Sequence, residues 1–224
     1  MIEYTLVRSH RKTIALYVRN GKVEVRAPLR ATLEEVAKFV ASKEAWITEK
    51  LLESTDRYTQ REQFTLRYGD SIPYLGKLCP IAAKIGSQAG YQDGVFYMPP
   101  DLTPEQIQAA CILIYRLLAK RDIPKKVDEF AKRMSVRPAS VKISNARTRW
   151  GSCSAARNVS FAWRLIMASD DVINYVVVHE LAHIYEMNHS KRFWVIVEDV
   201  MPNYRDKKAK LKALQEKLNM EDWD

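Results

Sequence analysis

The 224-residue chain has 36 Lys and Arg against 27 Asp and Glu, a net charge of +9, and 47% apolar residues. That apolar share supports a packed core in one large domain or two smaller ones. No apolar run reaches the roughly 18 residues a membrane helix needs, and MIEYTLVRSHRK places charge where a signal peptide needs an oily segment, so a soluble, non-secreted, cytoplasmic protein is expected. Cys79, Cys111 and Cys153 are odd in number, far apart and form no CxxC pair, so they suggest neither a disulfide framework nor a cysteine-rich zinc site. The basic surplus is compatible with nucleotides, nucleic acid or other polyanions, and equally with a solvated basic surface.

In chain order, EYTLVR, TIALYVRN and KVEVRAP alternate apolar and polar residues, with the hairpin dipeptide Asn20-Gly21 between the last two. An antiparallel ribbon is predicted. Thr32 and Glu35 have capping-box spacing, and Val36, Phe39, Val40, Trp46, Ile47 and Leu51 continue at helical spacing, predicting one helix to about Ser54. Past the polar stretch STDRYTQREQ, the patches FTLRYGDSIPYLGKLCPIAAKIG and GVFYMPP predict short strands. Residues 1–102 thus read as a small α+β module of ribbon and helix, and 103–224 as a second domain.

The second domain opens with Thr103, Pro104 and Gln106, a helix start, with a break or kink predicted at Pro124 and a further helical stretch ending near Met134. VKISNARTRWGSCS and NVSFAW look extended around a Gly/Ser turn. Asp170 or Asp171 is then expected to cap a helix, and RDKKAKLKALQEKL predicts a solvent-facing amphipathic helix near the end of the chain.

Three of the four histidines, His179, His183 and His189, crowd into YVVVHELAHIYEMNHSKRFW. On a helix His179 and His183 share a face, so both imidazoles can aim at one point with Glu180 beside it. This HExxH pattern suits Zn²⁺ or another divalent transition metal, with Glu180 as the proton acceptor for a water at the open position. His189 needs a turn to join them. Asn188, tolerant of the left-handed conformation, and Ser190, a capping residue for a helix holding Phe193, Trp194 and Val197, supply one. Glu186 and Glu198 compete as third ligand. Val176 to Val178, Leu181 and Ile184 read as core.

With RTRWGSCS, FAWRLIMAS, GDSIPYLGK and above all RWGSC followed by HELAHxxxxNHSxxFW, the sequence resembles the YgjP-like family of metal-dependent hydrolases, relatives of zincin metallopeptidases and SprT-like proteases. The resemblance covers nearly the whole chain. It implies an α+β, zincin-like catalytic half with the HExxH helix beside a small sheet, metal ligands His179, His183 and His189, base Glu180, and the Arg149 to Cys153 signature near the site.

The leading expectation is a zinc-dependent metallopeptidase acting on peptide or protein. A metal-dependent nucleotide phosphohydrolase or pyrophosphatase is the runner-up, since the same activated water can attack phosphorus. Arg147 and Arg149 would then grip substrate charge, although a structural role suits them as well. A nucleic-acid-associated SprT-like protease is a third reading, in which Tyr115, Tyr204 or Trp223 would accompany the basic residues at the nucleic acid, although core or tail packing suits each of them at least as well. Cys153 paired with His179 as a cysteine nucleophile leaves the other histidines unexplained.

Overall fold

In the computed structural model, which describes residues 2–86 and 88–223, Asn20 and Gly21 both take positive φ (49° and 69°), the left-handed pair that a two-residue hairpin turn requires. They join β2 (Ala15–Arg19) to β3 (Lys22–Pro28) in antiparallel register, Arg19 facing Lys22. The first strand, β1 (Thr5–Ser9), departs from the predicted ribbon: it runs parallel to β3, giving the order β1-β3-β2. The tight turn commits one edge of β3 to β2, and the other edge is left for β1.

The capping box forms as predicted, with Thr32 and Glu35 each accepting from the other's backbone N–H. The single predicted helix is instead two, α1 (Leu33–Ala41) and α2 (Glu44–Gln63), broken at Ser42 and Lys43. The second runs nine residues past Ser54 on a polar stretch. Pairs one turn apart support it there: Lys50 and Arg57 both reach Glu53, and Gln60 reaches Asp56. Val36, Val40 and Ile47 from these helices close a core over Val23, Val25 and Ala27 of β3.

The chain divides into two units, residues 2–64 with 217–222 and residues 65–216 with Trp223. The division falls after Phe64, where the sequence reading placed a boundary after Leu102. The second unit therefore includes the strands β4 (Ser71–Tyr74), β5 (Lys77–Ala83), β6 (Gly90–Gln92) and β7 (Val95–Met98), in the order β4-β5-β7-β6.

The helix α3 (Pro104–Arg133) starts at a Thr103 capping box and passes unbroken through Pro124, where a break or kink was expected. Ile123, Val127, Phe130 and Ala131 are buried around that residue, so packing outweighs the lost backbone hydrogen bond. A second three-stranded sheet follows: β8 (Ser140–Ser144), β9 (Gly151–Cys153) and β10 (Asn158–Ala162), with β10 central, parallel to β8 and antiparallel to β9. A short 3-10 helix (Trp163–Met167) leads to α4 (Asp170–Ala182), α5 (Lys191–Val200) and α6 (Tyr204–Leu218). The architecture is mixed α+β, with six α-helices and three small sheets among the described residues. No helix there is long and apolar enough to cross a membrane.

Aromatic rings fill the middle of the second unit. Tyr115 lies 5.1 Å from Phe96, 5.9 Å from Trp163 and 5.6 Å from Trp223, centroid to centroid. Arg164 sits over Trp163 and donates to Trp223 O at 2.7 Å. Tyr115, Tyr204 and Trp223 are all buried, so none of the three presents a ring for base stacking.

Candidate metal centre

The helix α4 begins at Ser169, one residue before the aspartates expected to cap it; the Ser169 carbonyl accepts from Val172 and Ile173, and Asp170 and Asp171 occupy the first turn, where the helix dipole favours negative charge. The β4–β5 turn braces this end. Leu75 N–H donates to Ile166 O at 3.0 Å, and a Cβ on Gly76, whose φ is +76°, would stand 2.7 Å from Ser169 Cβ. Lys207 and Lys210 of α6 pair with Asp171 and, with the Ser169 hydroxyl, hold its carboxyl well below the usual range. Val176, Val177, Val178 and Leu181 are buried, as their spacing predicts, while Ile184 is half-buried.

At the other end, α4 stops at His183 and the chain turns. Asn188 stays out of the left-handed region expected of it; its Oδ1 instead accepts from Ser190 N–H at 2.9 Å. Ser190 caps α5 as predicted, its Oγ accepting from Phe193 N–H. Tyr185 pins the turn to the end of α3 by donating to Met134 O at 2.8 Å.

This turn brings His189 back to the HExxH face. One ring nitrogen from each of His179, His183 and His189 lies within 4.8 Å of the others. His189 Nε2 and His179 Nε2 are 3.0 Å apart, a distance at which two imidazole nitrogens share either a proton or a cation. Zinc–nitrogen bonds of about 2.0–2.1 Å in a tetrahedral set put ligand nitrogens about 3.3 Å apart, close to the separation of His179 and His189. The Nδ1–H of His183 donates to Glu186 O at 3.0 Å, which directs the Nε2 lone pair to the cluster. His179 Nδ1 is buried and has no hydrogen-bond partner among the described residues. Neither glutamate considered as third ligand belongs to the group, and Glu198 is paired with Arg205 at 3.1 Å.

Glu180 is 6% exposed and lies against β9. A Cβ on Gly151 would stand 2.6 Å from both Cγ and Oε1 of Glu180, so the strand approaches this closely only because residue 151 has no side chain. Burial pushes the Glu180 carboxyl up to about 7, and the Arg149 guanidinium opposes that. Burial, then the neighbouring imidazoles and Lys208, press His179 down to about 3; burial also lowers His183, partly offset by its bond to Glu186. A cation at the cluster favours the carboxylate and the neutral imidazoles together.

A pocket of about 260 Å³ opens here, lined by Gly151, Ser152, Cys153, His179, Glu180, His183, Met187 and His189. The Cys153 thiol is pushed up by burial and by Glu180, the opposite of what a thiolate nucleophile requires. Arg149, two residues before Gly151, and Arg147 in the same loop are both exposed, and both lie outside the residues lining the pocket. Met187 and the contact of Gly151 with Glu180 were not anticipated. The glycine in RWGSC was the available signal for the second; Met187 gave none.

The chain matches the model of the YgjP-like, metallopeptidase domain over residues 12–214. It is similar to the crystal structure of the metallopeptidase zymogen abylysin of Pyrococcus abyssi, with 20% identity, a TM-score of 0.39, and coverage of 44% of this chain and 97% of that one. The zymogen of jannalysin from Methanocaldococcus jannaschii compares at 19% identity and a TM-score of 0.37, over 42% of this chain and 95% of that one. No curated protein matches the chain significantly.

Proposed function

The chain belongs to the YgjP-like metallopeptidase family, and from that premise we propose that it is a zinc peptidase in which His179, His183 and His189 hold the ion and Glu180 moves the proton. The observation that carries this reading is the meeting of three imidazole nitrogens with a buried carboxylate in one pocket. An all-imidazole donor set suits Zn²⁺ among the available divalent ions, whereas Mg²⁺ prefers oxygen. A bound Zn²⁺ supplies a Lewis acid and a water acidified to near neutrality.

The chain's own groups supply the rest. Glu180 accepts a proton from the attacking water as its oxygen adds to the peptide carbonyl carbon. The same carboxyl returns that proton to the departing nitrogen as the C–N bond breaks. Strand β9 pairs only with β10 among the described residues, so its other edge offers backbone groups to an extended peptide beside Glu180. That edge favours a polypeptide over a nucleotide as substrate.

Glu180→Gln should retain one equivalent of zinc and lose about 10²–10⁴-fold in turnover, because it removes the proton carrier alone. His183→Ala should lose the zinc. Elemental analysis and a screen of wild type and both variants against unfolded protein, peptides and nucleoside triphosphates make the test. Full peptide hydrolysis by Glu180→Gln would end the assignment of Glu180; triphosphate hydrolysis that separates wild type from variant would replace the peptidase reading.

A further inference from the structure

We infer that the first turn of α5 positions the histidine cluster, with Phe193 as the plate on which all three imidazoles rest and Ser190 and Trp194 holding His189 to it. This rests on the reading of the three histidines as ligands. Phe193 is fully buried, and its ring centroid lies 4.9 Å from His179, 4.5 Å from His183 and 4.7 Å from His189. The imidazoles stand 4.8–5.0 Å from one another. One benzene ring therefore touches every member of the set.

A ligating imidazole is ordinarily kept from swivelling by a hydrogen bond to its other nitrogen. His183 has that bond, to Glu186 O, and His179 Nδ1 does not. The orientation of His179 thus depends on its ring contacts, with Phe193 nearest and Trp194 and Tyr175 at 5.9 and 6.0 Å.

The start of α5 sets His189 in the same way. With Ser190 as the cap, His189 precedes it and Trp194 is the fourth helical residue, the two positions that a hydrophobic staple brings together. Here their rings lie 5.8 Å apart at 31°. Tyr204 stacks on Trp194 at 5.1 Å and 16°. The Phe193 N–H that donates to Ser190 Oγ belongs to the plate itself, so capping the helix also places the ring.

The test measures Zn²⁺ affinity by chelator competition and the visible spectrum of the Co²⁺-substituted full chain. Phe193→Leu should weaken Zn²⁺ binding about 10–100-fold, the range for residues that orient ligands, and shift the Co²⁺ bands. Phe96→Leu, the same change at another fully buried ring in the same unit, should leave both within twofold of wild type. Ser190→Ala should weaken binding, and Ser190→Thr, which keeps a capping hydroxyl, should restore it. A folded Phe193→Leu with wild-type affinity and spectrum overturns the inference. If that variant does not fold, wild-type affinity in Ser190→Ala overturns it instead. Retained affinity in His183→Ala would remove the ligand assignment beneath it, an outcome distinct from the others.

Discussion

Two sheets of this molecule share one topology: in β1-β3-β2 and in β8-β10-β9 the third strand in sequence is central, parallel to the first and antiparallel to the second. The first is built for packing. Its middle strand in sequence, β2, pairs with β3 over five positions, and Leu16 and Val18 join the core that Ile47 closes. In the second, the equivalent strand β9 is three residues long and presents at Gly151 a gap in side-chain cover, into which Glu180 fits. Identical connectivity thus serves stability in one place and admits a buried carboxylate in the other; the side chains decide.

The largest effect expected on this contrast comes from Ile47→Ala, which opens a cavity over the first sheet and should cost about 2–5 kcal/mol. Hydrogen exchange at the β3 amides would register it; unchanged protection would mean that the sheet is not held by that core. Gly151→Ala attacks the second sheet at its gap. The new methyl displaces the Glu180 carboxyl, and a misplacement of about 1 Å should lower kcat/KM about 100-fold with zinc content unchanged. Wild-type turnover in that variant would show the gap to be incidental.

Smallest is Asp171→Asn, at the start of the helix that carries Glu180. Because the Asp171 carboxyl is depressed when folded, its contribution is complete above the ordinary value of 3.8 and fades as pH falls below it. Wild type should therefore resist urea better than the variant at neutral pH, with the gap narrowing steadily as pH falls below 3.8. A gap independent of pH would assign the effect to something other than this charge.

Sequence reading reached the HExxH helix and the return of His189 because both rest on local rules, the four-residue spacing and the Ser190 cap. It identified Asn188 as a turning residue by the wrong means: the side chain accepts a hydrogen bond while the backbone avoids the left-handed region. The boundary between α1 and α2 was hidden because Trp46, Ile47 and Leu51 continue the apolar period across it. The far end of α2 was hidden because charged pairs, rather than apolar spacing, extend that helix. The parallel pairing of β1 and the pressure of Gly151 on Glu180 are contacts between distant residues, and no local pattern encodes them.

With 30 residues at about 1.5 Å each, α3 is a rod some 45 Å long. Pro124 gives it a point where one backbone tie is missing. Its far end presents the Met134 carbonyl that Tyr185 grips, within the loop that joins His183 to His189. Through that bond the end of the rod serves as an anchor post for the loop between two of the three imidazoles.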